Sequence, residues 1–153
     1  MTSPPTPAPD DEGPPTDPGV DASRPPLPSV LAVVAVGGVV GALARYRLDL
    51  SWPVPPAGFP WSTVVVNVSG CLLIGIALIV IVERMRTPPL VRPFLVTGVL
   101  GGYTTFSTYA VDLHRLLRTG HPGIAVGYLA ATLFGALAAT AVGVQLARRV
   151  RAS

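Results

Sequence analysis

The chain has 153 residues, of which 50% are hydrophobic and only 12% charged, with a formal net charge of +3. Soluble domains usually run to about a quarter charged, so this composition argues against a soluble globular domain. All eleven basic residues are arginines that punctuate apolar runs without forming a patch, which argues against a nucleic-acid surface and reads as caps at membrane borders. A single cysteine, Cys71, excludes an intrachain disulfide and a cysteine-based metal cluster.

Residues 1–27 are rich in proline, aspartate, serine and threonine and hold five of the eight acids. Such a segment buries too little apolar surface to offset its ordering entropy, so a disordered tail is expected. It is acidic and lacks an apolar core, unlike a secretory signal. From residue 28 to 148 the expected unit is a membrane domain, followed by a short basic end at 149–153.

A first apolar segment covers about 29–46. It is short for a span, for which about 20 residues are typical. Gly37, Gly38, Gly41 and Ala42 favour close helix contact. Arg45 either snorkels to the interface or supplies positive potential at a pore mouth. A proline-rich loop follows, with Trp52 and Trp61 as interfacial anchors.

The second segment, about 61–82, is apolar apart from Ser62, Thr63, Asn67 and Ser69. A buried amide needs partners for two donors and an acceptor. Asn67 therefore either hydrogen-bonds a neighbouring helix or turns its NH2 toward a permeating anion.

The third segment, about 94–113, contains Gly101-Gly102-Tyr103-Thr104-Thr105-Phe106-Ser107-Thr108-Tyr109. Adjacent glycines cost a helix roughly 1 kcal/mol each against alanine, and four hydroxyl side chains follow at once. In a membrane, irregular backbone is tolerated where protein buries it or where it lines a watery cavity. This stretch reads as a broken helix facing an ion or substrate, or as a close helix-packing face. Asp112, near its end, is the one carboxylate placed to carry a proton, or else a capping or interfacial group.

The fourth segment covers about 122–147. Tyr128, Thr132, Ala136 and Thr140 recur every four residues and share one helix stripe. That stripe faces protein or water, or forms a packing seam with Gly127, Gly135 and Gly143. Four thin helices enclose no pore alone, so an oligomer is expected. If both termini lie on one side, seven arginines fall there against four opposite, a mild preference for cytoplasmic termini.

Gly-Gly-Tyr-Thr-Thr-Phe-Ser-Thr-Tyr at 101–109, Gly-Ala-Leu-Ala-Arg-Tyr at 41–46 and Asn-Val-Ser-Gly at 67–70 resemble the signatures of the small Fluc (CrcB-type) fluoride channels. The resemblance covers about residues 29–147. It implies an all-α membrane protein with four transmembrane helices, the third broken, in an antiparallel (dual-topology) dimer. The partner would be a second copy of the chain, or a related chain in a heterodimer. The resemblance implies a fluoride channel and no enzyme, set in a prokaryotic inner (plasma) membrane, with the lipid bilayer and no nucleic acid as surroundings.

It further implies a structural Na+ at the dimer centre, held by backbone carbonyls of Gly101 and Thr104 and not transported. Phe106 and Tyr109 fall on the family's paired aromatic positions, the second commonly phenylalanine there. Asn67 matches a pore-facing asparagine, and Tyr128 with Thr132 resembles its polar track, which Ala136 does not continue. Thr105, Ser107 and Thr108 complete the expected fluoride pore, with Arg45 in the vestibule. A small multidrug-type transporter is the first rival, but that class needs a carboxylate within its first helix, and residues 29–46 have none. A non-transporting membrane assembly subunit is the second.

Overall fold

A computed structural model describes residues 25–55, 58–83 and 88–152. The expected tail at 1–27 lies almost wholly outside these. Among the described residues every regular element is helical. Helix α1 is Leu27–Ser51 and α2 is Trp61–Glu83. The π-helical stretch Pro93–Leu100 runs directly into a single α-turn, Gly101–Tyr103, and the two together form α3. Helices α4, Ser107–Arg118, and α5, Pro122–Ala152, complete the chain.

Prolines and one glycine punctuate these helices. Pro26 precedes α1, and a proline in a first helical turn loses no intrahelical bond. Trp52-Pro53 follows its last residue. At the other end of the domain α4 closes through Gly120 at φ 77. The amide of His121 donates to Leu116 O at 2.9 Å and that of Gly120 to Leu117 O at 3.2 Å. A left-handed residue at this place is the usual helix stop, and glycine adopts it without Cβ strain. Pro122 then opens α5.

Among the described residues three helices are long and apolar enough to cross a membrane: Leu27–Ser51, Trp61–Ile81 and Pro122–Val150. The fourth expected segment, about 94–113, is divided into lengths of 8, 3 and 12 residues, each shorter than the ~20 residues a continuous span needs. Helix α1 runs past the expected 29–46 to Ser51, so Asp49 joins its last turn.

The helices pack as two pairs, α1 with α3 and α2 with α5, with α4 laid on α5. Absent side chains let both pairs close. Gly37 and Gly41 of α1 are buried. Side-chain carbon on Gly41 would strike Val99 O, and on Gly102 it would strike Gly38 O. In the other pair Gly75 and Gly143 sit against each other's helix backbones. Of the seam expected on α5, only Gly143 makes such a crossing: Gly127 meets nothing and Gly135 meets one methyl of Val68. Small residues at crossings replace the hydrophobic driving force that lipid removes.

A compact aromatic and aliphatic core lies at one end, where Val64, Leu116, Ala125 and Tyr128 are buried beneath Phe59, Tyr109 and Leu113. Beyond it burial is concentrated in α2, where Val66, Ile79 and Ile81 are buried. Only 11% of the most apolar window of α1, and of α5, is buried, so those faces require lipid or another protein surface.

Candidate functional site

The helix ends at Tyr103, and Thr104 N–H, donating to Leu100 O, makes the last bond of its ladder. Thr104 is extended, at φ −73 and ψ 156, and Ser107 starts the next helix. Side chains from elsewhere hold the residues between. Asn67 of α2 grips the Thr105 peptide at both ends: its Nδ2 donates to Thr105 O at 2.9 Å, and Thr105 N–H donates to Asn67 Oδ1 at 2.8 Å. The matched pair also fixes which way the amide faces.

Thr105 Oγ1 in turn accepts from Thr108 N–H at 3.1 Å, lies 3.2 Å from Ser107 Oγ, and donates to Thr108 Oγ1 at 3.1 Å. Thr105, one residue before the N-cap Phe106, thus supplies an acceptor for an otherwise unpaired N–H in the first turn of α4. Arg45 reaches across from α1, with Nε donating to Gly102 O at 3.4 Å and Nη1 to Thr108 Oγ1 at 3.5 Å. Its charge thus faces the carbonyl end of α3, where a helix dipole is negative. Ser69 and the Tyr103 hydroxyl, 3.0 Å apart, tie α2 to α3.

These restraints leave a cleft of about 610 Å³ between α2, α4 and α5. Of the expected pore residues, Asn67, Thr105, Phe106, Tyr109 and Thr132 line it; Thr104 lines it too, as do Ala136, on the same stripe as Thr132, and Cys71 and Leu129, which had no part in the expected pore. Cys71 is half-buried. Phe106 is 79% exposed, and its ring centroid lies 5.8 Å from that of Tyr109. Thr132 Oγ1 is buried without a hydrogen-bond partner. An unpaired buried hydroxyl is costly, and this oxygen, covered by protein, does not itself open onto the cleft.

Ser107, Thr108, Tyr128 and Arg45 do not line the cleft. Ser107 and Thr108 are turned into the Thr105 network, and Arg45 into the junction itself. Tyr128 is fully buried, with its ring 5.1 Å from Tyr109 and edge-on to Phe59 at 5.7 Å. Its hydroxyl donates to Asp112 Oδ2 at 3.5 Å, which also accepts from Thr63 Oγ1 at 2.9 Å. Arg115 pairs with Asp112 Oδ1 at 3.2 Å and donates to Pro55 O at 3.2 Å. Asp112 therefore knits α2, α4 and α5 together, a role its position in the sequence left open.

Among the described residues no cluster of histidine, cysteine and carboxylate side chains could hold a metal. Backbone oxygens remain. In a continuous helix Gly101 O would accept from Thr105 N–H and Thr104 O from Thr108 N–H. Both amides are diverted, the first to Asn67 and the second to Thr105 Oγ1. Two carbonyls without their helical donors suit a small hard cation, so the residues fit the implied sodium.

Apolar helices with sparse internal burial and a polar junction held by side chains define a multi-pass helical membrane protein. Residues 32–144 match the family described as "CrcB-like protein, Camphor Resistance (CrcB)", and the chain belongs to that family. It is 57% identical over 104 residues to the "Fluoride-specific ion channel FluC 2" of Streptomyces avermitilis, covering 68% of this chain and 66% of that one. It is 46% identical over 128 residues to the "Fluoride-specific ion channel FluC 2" of Nocardia farcinica, covering 83% and 91%. To the "Fluoride-specific ion channel FluC 1" of Streptomyces coelicolor it is 53% identical over 121 residues, 79% of each chain.

Proposed function

We propose that this protein is a fluoride-specific channel of the plasma membrane, giving passive export of fluoride from the cytoplasm. The observation that carries the reading is the cleft at the non-helical junction. There Phe106 stands exposed beside Tyr109, with the Asn67 amide and the threonine hydroxyls around them.

Fluoride is small and holds its water strongly, so a path for it must replace that shell with donors. Full positive charges in the path would trap the ion, whereas conduction needs binding weak enough to leave. Aromatic ring edges are positively polarised, and Phe106 and Tyr109 offer such edges. Thr132 lines the same cleft, and Asn67 has one amide hydrogen left after bonding Thr105 O. Arg45 lies behind the junction, where it orders the end of α3 and adds positive potential without blocking the cleft. With a cytoplasm negative inside, an anion runs outward downhill by about 2.3 kcal/mol per charge per 100 mV. That field exports fluoride which has entered as the neutral acid.

The full channel in this reading is an antiparallel dimer of four-span subunits, each third span broken at Thr104–Phe106. The exposed apolar faces of α1 and α5 are divided between the partner and lipid. Gly101 and Thr104 carbonyls would hold a structural sodium ion at the dimer centre, which would supply fixed positive charge and tie the two junctions together. The rival small multidrug-type reading needs a carboxylate well inside the first helix, and α1 offers only Asp49 in its final turn.

The test is efflux from proteoliposomes loaded with fluoride or chloride. Rapid fluoride loss with retained chloride is expected. No fluoride flux from a folded, assembled protein would reject the channel in favour of an assembly subunit.

A further inference from the structure

We infer that Asn67 is a positioning residue for a cation site: its Oδ1 takes the Thr105 amide out of the helical ladder and so keeps the Gly101 carbonyl open. This rests on the channel reading above and concerns the sodium that reading places at Gly101 and Thr104.

Thr104 N–H still closes the ladder, on Leu100 O at 3.0 Å, and the Thr104 hydroxyl caps the same carbonyl at 3.1 Å. The next amide, Thr105 N–H, would close on Gly101 O. Instead it points to Asn67 Oδ1, and Asn67 Nδ2 secures the carbonyl of the same peptide. Asn67 is 8% exposed, so an amide there must be satisfied by protein, and the Thr105 peptide satisfies it on both sides. The neighbouring Gly70 lets Thr104 lie directly against α2, since a Cβ there would strike the Thr104 methyl. Thus α2 presses on the junction at one residue and captures its peptide at the next. The carbonyl left over belongs to Gly101, which is exposed. Asn67 also lines the cleft, but both of its hydrogen bonds go to backbone. Removing it should therefore affect two properties at once: what the cleft conducts, and whether the junction keeps a free carbonyl.

The experiment follows thermal unfolding of the purified, detergent-solubilised protein in sodium chloride against choline chloride at equal ionic strength, with no fluoride present. A ligand held only by the folded state raises the melting temperature with the logarithm of its concentration. The wild-type protein is expected to show that rise. Asn67→Leu, without an acceptor for Thr105 N–H, is expected to lose it. Asn67→Asp, which keeps the acceptor and loses the donor, is expected to keep it. If Asn67→Leu fails to fold, Asn67→Asp decides alone, and loss of its sodium response overturns the inference. A sodium response in Asn67→Leu equal to wild type also overturns it and leaves Asn67 as a cleft residue alone. A wild-type protein with no sodium response rejects the cation site itself and this inference with it, while fluoride efflux would still report on the channel.

Discussion

Gly75 of α2 and Gly143 of α5 meet backbone to backbone. A Cβ on Gly75 would fall 3.2 Å from Gly143 Cα and onto Thr140 O, and one on Gly143 would strike Leu72 O. The cleft is built on this crossing, because α2 carries Asn67 and α5 carries Thr132. Gly143→Val is expected to destabilise the fold by at least about 1–3 kcal/mol, the usual cost of overpacking. Gly127→Ala meets open space and should hold or slightly raise stability, because alanine is the better helix former. Comparing the two by thermal unfolding in detergent checks the pairing; equal melting temperatures would contradict it.

Phe106 contributes little to packing, since 79% of it is exposed. Phe106→Ile should therefore assemble normally. Fluoride flux is expected to fall at least about tenfold, equivalent to about 1.4 kcal/mol on the transit barrier, because an aliphatic side chain has no polarised edge. Unchanged proteoliposome efflux would remove Phe106 from the path.

Tyr109 has a ring position secured from both sides, by Phe106 at 5.8 Å and Tyr128 at 5.1 Å. Tyr109→Phe keeps those contacts and deletes only the phenol oxygen. Flux is expected to change no more than about two- to threefold, in line with ~0.5 kcal/mol, the lower end for one neutral hydrogen bond. A loss as large as that of Phe106→Ile would show that the hydroxyl, and not the ring edge, is what the ion meets.

Asp112 accepts from Thr63 and Tyr128 and pairs with Arg115. Asp112→Ala strands all three, with an expected loss of about 1–3 kcal/mol in stability. Arg115→Met, which keeps the stem and removes the charge, should cost less, because the Asp112 carboxylate retains two hydroxyl donors. Unfolding in denaturant orders the two variants, and a smaller effect for Asp112→Ala would contradict its role as the knot between α2, α4 and α5.

The sequence by itself determined the helical membrane class and the run of apolar stretches; it put the break at Gly101-Gly102, whereas both glycines are helical and the regular backbone stops at Thr104. Each of these depends on residues close together in the chain: apolar runs too long for a soluble helix, prolines at their ends, two glycines followed by hydroxyls. It also placed Tyr128 and Thr132 on a stripe shielded from lipid, because a four-residue spacing puts side chains on one helix face. Both are buried in the fold.

Only the tertiary structure decided what each face meets. Periodicity says which side of a helix is special, not which partner it finds. Tyr128 goes into the core against Phe59 while Thr132, one turn on, lines the cleft. Asn67 and Thr105 are 38 positions apart, and their bond is possible because Gly70 lets Thr104 lie directly against α2. A hydrogen bond made across such a distance depends on the packing of whole helices, so no local pattern in the chain could announce it.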